Sequence, residues 1–539
     1  MKSAVLKTLL VLTFGIGSDQ ALALNEKIKA EYREACPEYV EYSKYPHEPL
    51  SNGPLRLPFQ RPAAACRTFE SDVVEKTIRD LNSSMLDRDL ARIFENAFPN
   101  TLDTTVRWHV DGVKDKVTTR SQDEDAWKGA QSFIVTGDIN AEWLRDSTNQ
   151  LAQYQRLAAK DKKIHNLILG AINTQAEYVI ASPYCNAFQP PAPSNLEPTN
   201  NGQGDDVHPA YEPHTVFECK YELDSLAAFL SLSNQFYTHT GSTAFLTPRW
   251  HLALKSLLRV LNEQSQPTFD KDTGHYFPQL YTFQRTTNIA TETLPLAGNG
   301  NPLNWDTNLV RSAFRPSDDA TIFGFLIPSN AMIAVELKRT GAMLTSAGQP
   351  QVGSELTRRG KLIETGIWTH GVINHPTHGK VFAFEVDGYG SSLIMDDANL
   401  PSLLSLPLLG FCKPNDPVYL ATRRMILSKF GNPYYLTGDI FTGIGGPHIG
   451  LRNAWPMSVL TQIMTSDNNT EIRSLLEMVK KVSPLGLIHE SVDVDLPGRY
   501  TRSWFAWANS VFAQCILDLA ERKPEVLFGK GGKKYVAGA

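Results

Sequence analysis

The chain contains no C-x-x-C pair, no G-x-S-x-G turn and no phosphate-cradling glycine loop. The first absence disfavours a zinc ribbon or a thioredoxin-like redox site. The second makes an esterase or protease reading weak, since Ser391, Ser392 and Ser491 lie outside any nucleophile elbow. "GIGGPHIG" at Gly443–Gly450 is glycine-rich, but no strand signal precedes it, as a dinucleotide fingerprint demands. The formal net charge of −5 offers no basic field for nucleic acid and no polybasic membrane patch. Strand signals are scarce. No repeat period appears, which argues against an α-solenoid, and no linker divides the chain.

The first residues carry an address. Lys2 and Lys7 precede or flank the apolar run Leu9 to Gly17, and Ala21–Ala23 supplies small residues for cleavage. This pattern predicts a secretory signal peptide over 1–23, with an apolar core too short to span a bilayer. No later run reads as a membrane span, so a secreted monomer with no membrane or nucleic-acid partner is expected. Two sequons, at Asn82 and Asn468, fit that compartment. All six cysteines follow the leader, and their even number permits disulfides. A bridge between Cys185 and Cys219 would clamp the irregular segment between them.

Apolar residues recur at helical spacing throughout. Ser71 is placed to cap a helix carrying Val74, Ile78, Leu81, Met85 and Leu90. Further helices are expected over 147–158, 163–181, 221–238, 248–262, 329–341, 351–366, 415–429, 456–465, 470–481 and 503–521, with a short one near 400–410. Ser329 reads as an N-cap, and Pro456 as a first-turn proline. "KVFAFEVDGYG" at Lys380–Gly390 is the clearest strand, one arm of a small hairpin. Ser182–His214, rich in Pro, Asn and Gly, reads as an insertion loop because apolar helices flank it. "GKGGKK" near the end reads as a frayed tail. About a dozen helices in one unit over 24–539 predict an all-α fold, an (α/α)6 toroid whose loops gather at a shared mouth.

Polar groups that a helical core does not explain concentrate in five loops. These are "WLRDS" (Trp143, Arg145, Asp146), "FRPSDDA" (Arg315, Asp318, Asp319), "FEVDGYG" (Glu385, Asp387, Tyr389), "GLIHESVDVD" (His489, Glu490) and "YTRSWFAW" (Arg502, Trp504). Each alone has a plain reading. Asp146 or Ser147 could cap a helix, the Asp doublet could bond backbone amides, and His489–Glu490 could be a surface pair. Together, carboxylate, Arg and aromatic ring recur at loop–helix junctions, as a carbohydrate site requires: pyranose faces stack on Trp and Tyr, and hydroxyls take bidentate partners. Glycoside hydrolysis needs one protonated and one ionised carboxyl group. The Asp318–Asp319 doublet offers the expected acid, because neighbouring carboxylates resist ionising together. Glu490 is the expected base or nucleophile. His370, His375 and His378 lie within nine residues but lack metal-ligand spacing, so no metal or other cofactor is expected.

In their order along the chain, "GDINAEWLRDS", "FRPSDDA", "GLIHESV" and "TRSWFAWANS" resemble glycoside hydrolase family 125, the exo-α-1,6-mannosidases. The similarity runs from about residue 65 to 525. It implies an (α/α)6 barrel, inversion at the anomeric carbon, no metal, and release of terminal α-1,6-linked mannose from N-glycans or mannan. Carried over, the acid falls in the "RPSDD" doublet, at Asp318 in preference to Asp319, and the base at Glu490. Arg145 and Asp146 match the family's "RDS" and would hold mannose hydroxyls, with Trp143 as a wall. Arg315, Asp319, Asp387, His489 and Arg502 complete the expected sugar-binding set. Glu142 departs from the pattern, standing where an apolar residue would be expected, and the Ser182–His214 segment is longer than the family needs. A barrel enzyme of other linkage, a phosphorylase and a non-catalytic mannose-binding protein are the alternatives.

Overall fold

The computed structural model describes residues 36–113 and 125–539; the expected leader over 1–23 lies outside the described residues. Twelve helices of nine residues or more occur among the described residues: α1 (Asp72–Ser84), α2 (Arg88–Ala97), α3 (Leu144–Ala152), α4 (Lys162–Ala181), α5 (Leu223–Thr240), α6 (Pro248–Glu263), α7 (Ile327–Ser346), α8 (Pro350–Gly366), α9 (Pro417–Ile426), α10 (Pro456–Met464), α11 (Asn469–Lys481) and α12 (Ala506–Arg522). No helix among the described residues is long and apolar enough to cross a membrane.

Sequence decides which helices lie inside. α1 buries Val74, Thr77, Ile78 and Leu81 along one stripe, whereas α5 buries Leu223–Asn234 without a break. A one-sided stripe suits an outer layer, and a helix buried all round must be enclosed by others. The packing agrees. α10, α12, α3, α5 and α7 touch in succession as an inner arc, while α4 and α6, α8, and α11 lie outside α5, α7 and α10 respectively. Helices thus alternate between inner and outer layers along the chain, giving a helical α/α toroid. Between α8 and α9 the inner layer receives only the four-residue helix Leu406–Leu409, packed on α7. α7 and α8 approach closely because both carry glycine at the contact. A Cβ at Gly341 would lie 2.5 Å from Gly353 O, and one at Gly353 would lie 2.5 Å from Gly341 O.

Several expectations change in detail. The helix expected to run from Ser71 through Leu90 breaks at Met85–Asp87. Ser71 caps α1 as expected, and Asp87 caps α2 by accepting from the amides of Asp89 and Leu90. α3 begins at Leu144, not 147, so Arg145 and Asp146 occupy its first turn. Ser329 lies inside α7, where its hydroxyl donates to Asp224 Oδ1 at 3.1 Å instead of capping. The expected strand divides: Gly379–Phe382 pairs with Val372–His375, and Glu385–Val386 pairs with Phe325–Leu326 and Ser392–Leu393. The hairpin Val106–Val113 with Gly129–Ile134 was not foreseen.

Small antiparallel sheets feed the inner helices. Glu142–Trp143 leads into α3 and pairs with Ala187–Phe188, which pairs with Val216–Glu218. The Ser182–His214 segment is therefore part of the framework as well as a loop. Cys185 and Cys219 are joined as expected, and Cys36 is joined to Cys66. Arg285 forks onto Asp205 at 2.6 and 2.7 Å, fastening the outer stretch to the strand Thr282–Gln284.

These restraints lead to two testable outcomes. Replacing Cys185 and Cys219 together by Ala releases a cross-link of sequence separation 34, which costs about 3 kcal/mol of stability. A denaturation midpoint equal to that of the oxidised parent would show that the sheet needs no such clamp. Glu142, fully buried, has its carboxyl raised to about 8 by burial, although Ser147 Oγ and the Ile134 amide donate to it. Unfolded, it ionises near about 4.3. Its contribution to stability is therefore complete below that pH and declines as pH rises towards the folded value. Glu142→Gln should make melting temperature fall less steeply than in the parent between about pH 4 and 8. A parallel decline would refute the assignment.

Candidate active site

The inner helices begin around one pocket. Its lining includes Trp143, Arg145 and Asp146 at the start of α3, Asp318 before α7, His448 and Trp455 before α10, Glu490, and Arg502, Phe505 and Trp507 around the start of α12. Helix N-termini carry unpaired amides and the positive end of the helix dipole, so carboxylates gather there at reduced cost.

Arg145 is the most buried charge lining the pocket. Its Nη1 donates to Glu222 Oε2 at 2.6 Å and Asp224 Oδ2 at 3.2 Å, its Nη2 lies 3.1 Å from Asp146 Oδ2, and its guanidinium covers the Trp507 ring at 5.0 Å. Burial opposes the charge of the guanidinium, but its carboxyl neighbours Glu222, Asp146 and Asp224 hold it well above its ordinary range. Asp146 is itself raised to about 7, first by burial and then by Asp318, against Arg145 and Arg502. Glu142, the residue out of pattern, stays behind this turn and receives the Ser147 hydroxyl at 2.8 Å. It packs the turn and does not line the pocket.

Asp318 is held in left-handed backbone, φ 69°, a conformation that Asp tolerates at a cost and that recurs at functional turns. The doublet does not act on itself as the sequence suggested. Asp318 Oδ1 meets Asn186 Nδ2 at 3.4 Å, whereas Asp319 faces His448 Nδ1 at 3.7 Å and Ser317 Oγ at 3.4 Å. Burial pushes the Asp318 carboxyl up, but Lys220, Arg145, His448 and a hydrogen bond with Glu222 together hold it below its ordinary value. The carboxyl that bears on it is Glu222, not Asp319, through the common contact with Asn186. His448 sits between both sides of the pocket. Burial opposes its charge, yet Asp319, Asp318 and Glu490 raise it to about 9.

Glu490 is set on the other side. Thr501 Oγ1 donates to its Oε2 at 2.6 Å, and Arg502 Nε lies 3.2 Å from its Oε1. Arg502 is in turn drawn to Asp138, from the same "GDIN" turn that opens the first motif. A Cβ at Gly137 (φ 137°) would press on the Trp504 ring at 3.1 Å, so this turn needs glycine to close on the indole.

Trp143, Arg145, Asp146, Asp318, Glu490 and Arg502 thus share the pocket. Arg315, Asp319, Asp387 and His489 do not line it. Arg315 is buried against Glu385, Nε to Oε1 2.6 Å, while Glu385 also takes the amides of Ile322 and Phe323. This pair braces the "RPSDD" turn from behind. Asp387 accepts from the amides of Tyr389 and Ser391, closing its own turn. His489 stacks parallel on Tyr500 and donates through Nδ1 to the Arg502 carbonyl at 2.8 Å. Burial lowers it to about 4, so its ring is neutral and braces the base-side loop. Sequence reasoning missed Glu222, Asp224, Asn186, Lys220 and His448. "YELDS" at Tyr221–Ser225 carried the same carboxylate-before-helix signal as "WLRDS" but lay inside an expected helix.

On the pocket residues, Trp143 Nε1, Trp507 Nε1 and Arg145 Nε find no hydrogen-bond partner within the protein. Buried polar atoms are ordinarily satisfied, and a ligand dense in hydroxyls is suited to satisfy these three. Indole faces, a guanidinium and carboxylates at one mouth form a carbohydrate-binding chemistry.

Comparison with known proteins agrees with that geometry. Residues 87–517 match the family model for metal-independent α-mannosidases, glycoside hydrolase family 125. The meiotically up-regulated gene 157 protein of Schizosaccharomyces pombe is 54% identical over 495 residues, spanning 92% of this chain and 94% of that one. A Streptococcus pneumoniae structure, described among metal-independent α-mannosidases in a non-productive complex with α-1,6-mannobiose, is 32% identical with a TM-score of 0.72. It spans 84% of this chain and 99% of its own. With its family match covering most of its length and its polar residues converging at one end of a helical toroid, this chain belongs to glycoside hydrolase family 125, the metal-independent α-mannosidases.

Proposed function

We propose that this α-mannosidase removes terminal α-1,6-linked mannose by single displacement with inversion, acting on N-glycans or mannan. The observation that carries the reading is that Asp318 and Glu490, 172 positions apart in sequence, line one pocket with Arg145 and Asp146 between segments from the start of the chain. In this mechanism Asp318 protonates the leaving oxygen as the C1–O bond breaks. Glu490 takes a proton from the water that attacks C1 from the opposite face. Arg145 and Asp146 hold hydroxyls of the terminal mannose, Trp143 walls the ring, and Arg502 orients Glu490. Asp319, Arg315, Asp387 and His489 act from behind the pocket as supports for these groups. The bound mannobiose of the Streptococcus pneumoniae structure supports the linkage.

The fold is read as (α/α)6, with Leu406–Leu409 in the sixth inner position. The Cys185–Cys219 and Cys36–Cys66 bridges support passage through an oxidising, secretory compartment. The segment Ser182–His214, anchored by Arg285 to Asp205, is placed to shape the subsites beyond the terminal sugar.

Asp318→Asn and Glu490→Gln should each lower kcat on α-1,6-mannobiose by about 10²- to 10⁴-fold, measured as mannose released. Near-parental turnover in either variant would overturn its assignment. NMR of the first sugar released by the parent enzyme should show β-mannose; α-mannose would mean retention, and mannose 1-phosphate formed in phosphate buffer would mean a phosphorylase.

A further inference from the structure

The acid-side carboxylate has a buried partner that no motif announced. Asn186 Nδ2 lies 3.4 Å from Asp318 Oδ1 and 3.3 Å from Glu222 Oε1, bridging the two carboxyl groups. Sharing one amide donor brings the two carboxyls together, and Glu222 bears on the Asp318 carboxyl. Two carboxyls so placed bond to each other only when one of them keeps its proton, because an ionised carboxylate is an acceptor alone. The other oxygen of Glu222, Oε2, is already taken by Arg145 Nη1 at 2.6 Å and Ser225 Oγ at 2.8 Å. Oε1 is the oxygen that shares the Asn186 amide with Asp318. Asn186 is fixed beside them by its strand neighbour Ala187, which pairs with Glu218 next to the Cys185–Cys219 bridge.

We propose that Glu222 is a positioning residue acting through Asp318: the two carboxyls, bridged by Asn186, hold one proton between them, and Asp318 delivers that proton to the glycosidic oxygen. This rests on the reading of Asp318 as the general acid. The charges around the pair favour a single shared proton. Arg145 and Lys220 face both carboxyls, and His448 faces Asp318 from the α10 side. Asp146, Asp224 and Glu218 add negative charge around them, and the Tyr281 phenol packs nearby. Burial drives Glu222 far above the usual carboxylate range, against the pull of Arg145, while Asp318 is held low. At rest the proton sits on Glu222 and its O–H donates to Asp318.

The step balances. Glu222 passes the shared proton to Asp318, and Asp318 delivers that same proton to the leaving oxygen as the C1–O bond breaks. Water bonds to C1 and loses a proton to Glu490. The carboxyl pair is then one proton short and Glu490 one proton rich, and exchange with solvent restores both. The arrangement resolves the difficulty that Asp318, surrounded by cations, would by itself be a poor proton store.

The test is Glu222→Gln in the full chain, in which Arg145 keeps Asp146 and Asp224 as partners. On α-1,6-mannobiose, kcat should fall by about 100-fold or more. The alkaline limb of kcat/KM should move at least about one unit towards acid, because a lone Asp318 beside three cations loses its proton earlier. A 2,4-dinitrophenyl α-mannoside, whose leaving group needs no proton, should keep its turnover within a few-fold. Equal losses on both substrates with an unmoved pH profile would reduce Glu222 to a structural residue and overturn the proposal. Should Glu222→Gln not fold, Asn186→Ala leaves the Arg145–Glu222 pair in place and should show the same selective loss on mannobiose; equal losses there overturn it too. Asp318→Asn assayed beside them separates the two readings. If it cleaves mannobiose at the parental rate, the acid assignment itself has failed. If it is inactive on mannobiose but active on the dinitrophenyl mannoside while Glu222→Gln behaves as the parent, only the shared proton has failed.

Discussion

The site is organised around a buried guanidinium. Arg145, 2% exposed, is surrounded by Glu222, Asp224 and Asp146, and further acid groups lie just beyond in Asp318 and Glu218. Removing one such cation from water is costly unless its donors are met, and removing several carboxylates is costlier still. Arg145 and Lys220 answer them, with His448 beside Asp318 and Arg285 on Glu218. Burial nevertheless holds Glu222, Asp224 and Asp146 above the usual carboxylate range, with acidic neighbours adding to it at Glu222 and Asp146. A pocket that raises its carboxyl groups favours the protonated form that an acid-catalysed bond cleavage requires. The same constraint fixes the neighbouring backbone, since Glu222 and Asp224 open α5, Arg145 and Asp146 open α3, and the guanidinium ties the two together.

The toroid makes this cluster possible by bringing helix beginnings, and not helix faces, to one place. α3, α5, α7, α10 and α12 are inner helices, and each is entered through a short strand or turn that carries a polar motif. Glu142–Trp143, Phe325–Leu326 and Asn453–Ala454 are only two residues long, yet each is paired across an antiparallel ladder that sets where the next helix starts. The buried helices below supply rigidity, while the loops above carry chemistry. This division explains why an outlier such as Asp318 at φ 69° is tolerated. Its turn is braced by the Arg315–Glu385 pair and by the Ala320 amide donating to Thr291, so its strain is borne by a fixed surround.

Much of this was legible from residue order, for identifiable reasons. Apolar spacing located most of the helices to within a few residues, because the period of burial is written directly into sequence. The five polar clusters stood out because a helical core has no use for them. Direction was not legible. Asp387 and Arg315 share motifs with residues that line the pocket, but their side chains turn back to close a turn and to brace a loop. Glu222 and Asp224 were hidden for the opposite reason: they sit at the first positions of a strongly apolar helix, so periodicity absorbed them. Asn186 lies in a stretch whose Pro, Asn and Gly content reads as loop, and only the pairing of Ala187–Phe188 with Glu142–Trp143 brings it beside Asp318.

The doublet shows how far sequence adjacency misleads about electrostatics. Neighbouring carboxylates were expected to raise one another, but left-handed backbone at Asp318 sends successive side chains apart. Asp319 turns to Ser317 and His448, in a layer that also holds Asp397, whose Oδ2 accepts from the same Ser317 hydroxyl at 2.5 Å. Asp318 turns to Asn186, Glu222 and the pocket. The coupling partner of an acid is thus chosen by the fold from a segment 96 positions earlier, not by the chain from its neighbour. Across the pocket, Glu490 receives a hydroxyl from Thr501 and stands beside Arg502, with no carboxyl in its hydrogen-bond shell. One side of the mouth shares a proton between two carboxyls and the other offers a single carboxylate to a donor and a cation. Such an asymmetry divides two chemically identical groups into a proton giver and a proton taker.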